Sequence, residues 1–354
     1  MSAEREREIH QEILDGISDD HEKIPGAPVY DWTRPPARKF AEYEQQQDRI
    51  AGKLDVRNLT GDELESYINQ RTGQERQQST HAIGQVLVVA DGTVPAGARF
   101  ETVSGIEYEV LEATPIDEEG RVDIRAVESG PIGVVPANQI IEIPVTLEGV
   151  VSVTNPEPTY DGFSAESDDD LLQRYYKRIR TPATSGNRFH YENWALEVTG
   201  VGAARVFPLW DGDNTVKVVI IDADRLPASD ELVAELQEYL DPGITGKGDG
   251  QAPIGAYVTA ESAADKAISL SFTLSVAGSA EVDEVIEGIE TDVTAYLREI
   301  AFEQDFVSYA AVGAIILAAD GVADYTDLLV NGDNQNVAIG EQEVAVLGGV
   351  DVDT

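Results

Sequence analysis

Carboxylates in the middle of the chain are the residues best suited to chemistry. Glu166, Asp168, Asp169 and Asp170 stand together, directly before an apolar stretch with helical periodicity. Two carboxylates held about 5–10 Å apart can act as the acid and the base of glycoside hydrolysis. Adjacent carboxylates at a helix start more often face the positive end of the helix dipole, and no aromatic cleft for a sugar accompanies them. We therefore predict a structural role for them and no catalytic residue.

Histidine, cysteine and glycine patterns predict neither a metal ion nor a cofactor. The chain has no cysteine, and its four histidines (His10, His21, His81 and His190) are dispersed without metal-ligand spacing. Residues 211–214 begin like a calcium loop, but Val216 stands where that loop needs glycine and Asp222 where it needs glutamate. A hairpin turn is the favoured interpretation. Residues 246–250 lack the following helix of a dinucleotide fingerprint, which indicates a loop.

The charge is strongly one-sided, with 25 Lys and Arg against 66 Asp and Glu, a formal net charge of −41. No basic stripe is available to neutralise phosphates, so direct nucleic-acid binding is not expected. Acidic residues run along the whole chain and only seven lysines occur. Because molar salt screens such self-repulsion, the composition predicts a protein of a halophilic host. The acidic excess from residue 251 onward predicts a surface there that faces solvent and not a partner.

A neutral island from Phe163 to Trp210 interrupts this acidity, with six basic and six acidic residues. Burial against a partner protein and packing against the chain's own domains explain it equally well. A helix is predicted from residue 168 to the pair Thr181 and Pro182, with Leu171, Tyr175 and Ile179 on its apolar face. The candidate partner-interface residues are the four cations of its other face and three residues that follow: Arg174, Lys177, Arg178, Arg180, Trp194, Pro208 and Trp210.

The order of elements predicts an α+β multidomain protein. It has an N-terminal helical arm (residues 1–82), a small antiparallel β domain (83–153), a central α+β domain (154–250) and a C-terminal α+β domain (251–354), the last two with mostly antiparallel sheets. In the arm, helices are expected at residues 4–14, 37–51 and 61–71. A proline-containing connector over residues 21–36 is expected to be anchored by Tyr30 and Trp32.

The later elements follow from hydrophobic periodicity. Short alternating strands are predicted at residues 85–89, 99–103, 107–111, 121–126 and 140–145. A helix that follows Ser185-Gly186 and closes at Gly200 and two strands at 204–210 and 215–222 come next. Ser229 is expected to cap a helix over 230–240. Strands at 256–261, 267–276, 322–329 and 343–347 and helices at 282–300 and 308–319 complete the chain.

Several separated motifs resemble the baseplate J family of phage tails and contractile injection systems. They are Gly92-Thr93, Pro95-Ala96-Gly97, Val153-Thr154-Asn155-Pro156, Gly162, Glu166-Ser167-Asp168-Asp169, Arg174, Arg178, Gly200-Val201, Val206, Pro208-Leu209-Trp210 and Gly212, with a looser fit at Gly130 and Asn138. The resemblance covers roughly residues 60–350. It implies a structural baseplate wedge protein, not an enzyme, from a tailed virus or an injection machine. The acidity adds a halophilic archaeal virus to this expectation.

The resemblance also implies partners and a location. These are other baseplate wedge and hub proteins, a second copy of the chain, the sheath initiator and tail-fibre proteins, in a tail baseplate assembled in the host cytoplasm. The N-terminus lacks the apolar region of a signal peptide, and the longest apolar run, residues 310–319, is too short for a bilayer, so no membrane insertion is expected. Two alternatives stay open: a glycan-binding adhesin module and a tail-associated glycan hydrolase.

Overall fold

The computed structural model describes residues 2–181, 183–278 and 281–353. It confirms the predicted α+β class, with N-terminal helices followed by sheets in which most strand pairs are antiparallel. The chain divides into two compact units. The first comprises the residues up to Glu75 together with Asp168–Tyr175, and the second comprises Arg76–Ser167 and the residues from Tyr176 onward.

The first unit is helical. Its complete elements are α1 (Ser2–Asp15), α2 (Pro28–Gly52), a 3₁₀ turn (Val56–Asn58) and α3 (Gly61–Thr72). A small apolar contact joins the first two helices, in which Ile9 of α1 meets Ala37 and Ala41 of α2. In α3, Leu64 and Ile68 are buried one turn apart, as expected for an amphipathic helix.

The predicted connector over residues 21–36 is wrong, because helix α2 begins within it at Pro28. Proline suits a first helical position, but Pro35 and Pro36 lie inside the helix, where each removes a backbone hydrogen bond. Burial of the next turns of α2 against α1 outweighs that local cost. The predicted anchor Trp32 is 77% exposed, whereas Tyr30 stacks edge-on against His10.

The first part of the second unit is one antiparallel sheet with the strand order β5-β2-β3-β4-β1-β6. Its strands are β1 (His81–Val94), β2 (Arg99–Thr102), β3 (Glu107–Val110), β4 (Thr114–Ser129), β5 (Ile140–Glu142) and β6 (Val150–Thr154). All five predicted strands are present, and β6 was not predicted. Alternate residues such as Phe100, Tyr108 and Ile124 point into a common core.

Asn155 connects the two ends of this sheet. Its Oδ1 accepts hydrogen bonds from the N–H groups of Gln139 and Ile140 at 2.9 Å, beside β5, while the residue itself follows β6. Its Nδ2 donates to the carbonyls of Pro136 and Glu157. The side chain is fully buried with these partners, so Asn155 of the family-like motif links the β5 end of the sheet to the β6 end.

The central part of the second unit contains a three-stranded sheet in the order β7-β8-β9. Its elements are α4 (Asp168–Arg180), which begins in the first unit, α5 (Arg188–Ala195), β7 (Val201–Pro208), β8 (Thr215–Asp222), α6 (Asp230–Leu240) and β9 (Tyr257–Ser262). The predicted hairpin joins β7 to β8, and β9 pairs with β8 in parallel. Ser229 caps α6 as predicted, its Oγ accepting from the N–H of Leu232 at 3.1 Å.

The C-terminal part packs two helices on a sheet of order β12-β10-β14. The elements are β10 (Ala264–Val276), α7 (Val282–Ile300), β11 (Phe306–Val307), α8 (Tyr309–Ala318), β12 (Val322–Val330), β13 (Val337–Ala338) and β14 (Glu343–Asp353). Helix α7 has its predicted bounds and buries Val285, Ile289 and Val293 at successive turns. β14 extends beyond the predicted residue 347 and pairs in parallel with β10.

Three details of the neutral island differ from expectation or lie outside the description. Ile179 is 51% exposed, so the apolar face of α4 ends at Tyr175. Helix α5 ends at Ala195 and not at Gly200, because the chain turns there into β7. Pro182, expected to end α4, lies outside the described residues, and the helix ends at Arg180. In the described part of the chain, no helix is long and apolar enough to cross a membrane.

Candidate partner interface

Two of the predicted interface cations form ion pairs within the second unit. The Arg178 guanidinium lies 2.7 Å from the Glu197 carboxylate, just after α5. The Lys177 ammonium lies 3.6 Å from the Glu192 carboxylate within α5. Both cations keep about a third of their side chains exposed. They therefore fix the C-terminal half of α4 to α5 and still reach the surface.

Glu197 also connects these ion pairs to a third element, helix α6. Its Oε2 accepts a hydrogen bond of 2.6 Å from the Tyr239 hydroxyl on α6. Burial raises the pKa of Tyr239 to about 12, and the hydrogen bond to the Glu197 carboxylate adds to this effect. The phenol therefore stays protonated near neutral pH and keeps donating to Glu197.

The other two cations have different partners. Arg174 lies in the first unit, where its Nη2 donates to the backbone carbonyl of Glu75 at 2.6 Å. Arg180 lies in the second unit with its guanidinium 4.0 Å from the centre of the Tyr176 ring. Such a cation–π contact contributes about 0.5–1 kcal/mol at an exposed site. The four cations are thus held by four different groups of the chain itself.

The predicted aromatic residue of α5 is half-buried. Trp194 stacks on His190 with ring centres 3.9 Å apart, and Tyr191 meets it edge-on at 5.1 Å. Burial lowers the pKa of His190, which favours the neutral imidazole in the stack. Trp194 therefore contributes mainly to local packing and exposes only part of its surface.

Pro208 and Trp210 lie on the β7–β8 hairpin and are exposed. The Lys217 ammonium sits 4.0 Å from the centre of the Trp210 ring and bonds the Glu261 carboxylate of β9 at 2.7 Å. Only 11% of the Lys217 side chain is exposed. A largely buried lysine, paired with a partly exposed glutamate, thus orients an exposed tryptophan.

The carboxylates considered for catalysis accept hydrogen bonds from backbone groups. Asp168 Oδ2 accepts from the Gly61 N–H at 2.9 Å, at the start of α3. Glu166 Oε2 accepts from the Gln77 N–H at 3.1 Å. Within the described residues, no group of three or more His, Asp or Glu side chains could hold a metal ion. These observations give the two carboxylates structural roles.

Sequence reasoning missed a surface in the first unit, which we call the α2 seam: Trp32, Phe40, Tyr43, Ile50 and Leu54. Each is between 57% and 82% exposed. They lie along one side of α2 and its immediate C-terminal end, whereas Ala37 and Ala41 on the opposite side contact α1. The predicted helix over residues 37–51 already contained Phe40, Tyr43 and Ile50, but their stripe was not recognised, and Trp32 was placed in the predicted connector.

Comparison with known proteins covers nearly the whole chain. Three family descriptions match in order: the Baseplate J-like protein barrel domain at residues 80–162, the Baseplate J-like central domain at 183–262 and the Baseplate J-like protein C-terminal domain at 268–353. The barrel and central matches correspond to the β1–β6 sheet and to the elements from α5 to β9.

Individual relatives agree with these matches. The uncharacterized protein YqbT of Bacillus subtilis (strain 168) is 32% identical over 349 residues, and the phage-like element PBSX protein XkdT of the same strain is 31% identical over 344 residues. Each alignment covers 97% of this chain and 96% of the relative. Baseplate protein gp47 of Escherichia phage Mu is 35% identical over 201 residues, 53% of this chain and 54% of that protein.

A solved structure of the anti-feeding prophage baseplate aligns over 99% of this chain and 90% of its own, with 13% identity. Its TM-score of 0.38 is too low to support an argument about fold or function. Family membership rests instead on the three ordered family matches and on relatives above 30% identity over nearly the full length. The chain therefore belongs to the Baseplate J-like family.

Proposed function

We propose that this chain is a structural baseplate protein of a viral tail or of a related contractile injection machine. Within it, the chain acts as a wedge subunit that links the central hub to the sheath and the peripheral fibres. The family supports the baseplate assignment, as does the relative named as a baseplate protein. The structural roles of Asp168 and Glu166 favour a non-enzymatic protein over a glycan hydrolase.

The main support for the wedge role is the α2 seam. From Phe40 to Leu54 its positions recur at intervals of three and four residues, with Gln47 between Tyr43 and Ile50. This is the spacing by which one helix packs against another along a shared seam. A contiguous exposed apolar stripe of this kind marks an interaction surface. Its occupant is expected to be a helix of another baseplate subunit.

Energetics support a covered seam. Burying five large apolar side chains that are mostly exposed would contribute roughly 5–10 kcal/mol. Lys39 and Lys53 flank one side of the stripe and Glu44 the other, and they pair within the first unit with Glu42, Glu63 and Arg5, so charged residues border the apolar positions. A polar Gln47 within the stripe can set the register of a partner helix. Helix α2 therefore presents an exposed apolar stripe with one polar residue inside it and charged residues beside it, as interface helices do.

The residues Arg174, Lys177, Arg178, Arg180, Trp194, Pro208 and Trp210 are proposed as a second contact region. Support comes from the exposed Trp210 ring and from the partial exposure of Lys177 and Arg178. The partners proposed for both regions are wedge and hub proteins, a second copy of this chain, the sheath initiator and tail-fibre proteins. The proposed place of assembly is the host cytoplasm.

The acidity suggests where the baseplate operates. We propose that the protein folds and assembles at molar salt, as in a halophilic host and its archaeal virus. The relatives come from Bacillus subtilis and from an Escherichia phage, so this proposal rests on the net charge of −41 alone. Its test is the salt dependence of stability described below.

The wedge role is tested by charging the α2 seam. The double variant Tyr43→Asp/Ile50→Asp should leave the melting temperature of the isolated protein nearly unchanged, because both side chains are already exposed. It should abolish incorporation into tails when it replaces the natural chain, since carboxylates in an apolar seam lack partners. Electron microscopy of purified tails and a blot for the chain measure incorporation.

A matched control adds the same kind of charge elsewhere on the helix. Gln45 is exposed and lies off the seam, so Gln45→Asp should assemble normally. Tails of normal number and composition from the seam variant would refute the proposed contact. Sedimentation of the isolated protein shows whether the occupant is a second copy, because the variant would then convert a dimer into a monomer.

A further inference from the structure

The sheet of the C-terminal part has an open edge along β14. The strand order is β12-β10-β14, so β14 has β10 as its neighbour on one side. Within the described residues, no strand pairs with the other side. An edge strand turns backbone N–H and C=O groups outward at every second residue, which makes it a template for a further strand.

Exposure divides this edge into a covered and an open part. Val344 and Ala345 are buried, so the beginning of β14 has no room for another chain. From Val346 to Asp353 every residue is half-buried or exposed. We call residues 346–353 the open edge. The strand has no lysine or proline there, two residue types that commonly protect edge strands. Its pairing with β10 shifts register between Leu347 and Gly349, so regular pairing is continuous from Gly349 to Asp353.

A groove lies where the open edge begins. It encloses about 770 Å³ between residues 345–347 of β14 and residues 287–298 of α7, with Leu226 also lining it. Most lining side chains are small, apolar or hydroxyl-bearing, and Glu287, Glu290 and Arg298 carry the charges. The groove can therefore receive side chains of a strand that pairs with the open edge.

The negative charge around the open edge determines which kind of strand can pair with it. Asp351 and Asp353 are exposed on the open edge, and Glu287 and Glu290 line the groove. From residue 251 to the end, the chain has 19 acidic residues and only Lys266 and Arg298 as basic ones. Like charges on neighbouring strands destabilise a sheet, which disfavours a second copy of β14 or any other acidic strand.

We propose that the open edge of β14 accepts, by strand addition, an extended segment of a partner protein that carries Lys or Arg at alternate positions. Backbone hydrogen bonds supply the pairing, and the basic side chains match Asp351 and Asp353. This inference goes beyond the wedge role and does not depend on the α2 seam. It also gives the acidic C-terminal surface a partner in addition to solvent.

Synthetic peptides test the proposal on the full chain. The probe is a peptide of about ten residues with alternating Lys and Val, compared with one of alternating Glu and Val. Fluorescence anisotropy should detect binding of the Lys peptide alone. Hydrogen exchange of the complex should slow at residues 346–353 by ~tenfold or more, because strand pairing protects edge amides.

Variants and a third peptide separate strand addition from simple charge attraction. Asp351→Lys/Asp353→Lys should weaken binding by ~tenfold, whereas the equal charge change Asp117→Lys/Glu119→Lys on exposed residues of the barrel should not. A Lys–Val peptide interrupted by a central proline should lose binding, since proline cannot pair within a strand. Equal binding of the proline peptide, equal loss in the barrel variant, or protection outside residues 346–353 would each overturn the proposal.

Discussion

At the scale of single residues, Asp222 is a buried carboxylate with a strongly raised pKa. It ends β8, is 9% exposed, and its Oδ1 accepts a hydrogen bond from the Leu226 N–H at 2.8 Å. Burial raises the pKa of Asp222 to about 7, and the negative charges of Asp224 and Asp161 add to the rise while the Leu226 hydrogen bond opposes it. Asp222 is therefore largely protonated below neutral pH.

This environment predicts a specific pH dependence. Because the folded-state pKa of Asp222 lies above the unfolded value of about 3.9, the native state holds a proton that the unfolded state releases. The contribution of this proton to the free energy of unfolding is fully present below about pH 4 and is lost as pH rises towards 7. Asp222→Asn stays neutral and keeps the acceptor for Leu226. Its free energy of unfolding should exceed that of the natural chain by up to about 4 kcal/mol above pH 7.

Urea unfolding at constant high salt between about pH 5 and 8.5 measures this difference. The control is Asp213→Asn, an exposed carboxylate of the β7–β8 hairpin whose replacement should give a nearly constant offset. Parallel stability curves for the natural chain and Asp222→Asn would contradict the assigned pKa.

At the scale of elements, ion pairs connect the C-terminal half of α4 to α5 and α6. Arg178 pairs with Glu197, which also accepts from Tyr239. Because the Arg178–Glu197 pair is about one-third exposed, its contribution to stability is at most about 1 kcal/mol. The same guanidinium can therefore serve a partner without being essential to the fold.

Arg178→Gln separates these two roles. We expect the isolated protein to lose less than about 1 kcal/mol of unfolding free energy while incorporation into baseplates falls strongly. Arg188→Gln is the control, since Arg188 also lies near a carboxylate, that of Glu192 at 3.7 Å, but does not belong to the predicted interface. A destabilisation of several kcal/mol with normal assembly would assign Arg178 to the fold alone.

At the scale of the whole molecule, charge is the dominant property. With −41 spread along the chain, repulsion acts over a Debye length of ~30 Å at 0.01 M salt and ~3 Å at 1 M. Ion pairs such as Arg5–Glu8, Arg38–Glu42 and Lys53–Glu63 lie at the surface and contribute little against this repulsion. Compactness should therefore depend on screening by the solvent.

We expect the melting temperature to rise by more than about 10 °C between 0.2 and 3 M KCl. Differential scanning calorimetry across a salt series measures the rise. Sucrose at low salt is the control, because it favours burial without screening charge and should produce a much smaller gain. A melting temperature that stays flat across the series would refute the proposed adaptation to molar salt.

Local pattern alone determined the elements that carry their own signals. Helix α7 has its predicted bounds because apolar residues recur at every turn from Val285 to Leu297. Helix α6 starts where Ser229 provides a cap, and the barrel strands alternate buried and exposed residues. The separated motifs from Gly92 to Gly212 likewise indicated the family. Each of these signals lies within one element or in the order of several.

Only the tertiary structure decided features that depend on residues distant in sequence. Pro35 and Pro36 predicted a break, yet Ala37 and Ala41 pack against Ile9 and the helix continues. The hydrophobic periodicity of α4 predicted that Tyr175 and Ile179 would both be buried, but only Tyr175 is. β14 pairs with β10, which lies about 80 residues earlier in the chain, so the sequence around β14 could not show which of its edges stays open. Local propensity is small beside the burial free energy that distant neighbours provide, so packing determines which turns of a helix are buried and which strand edge stays open.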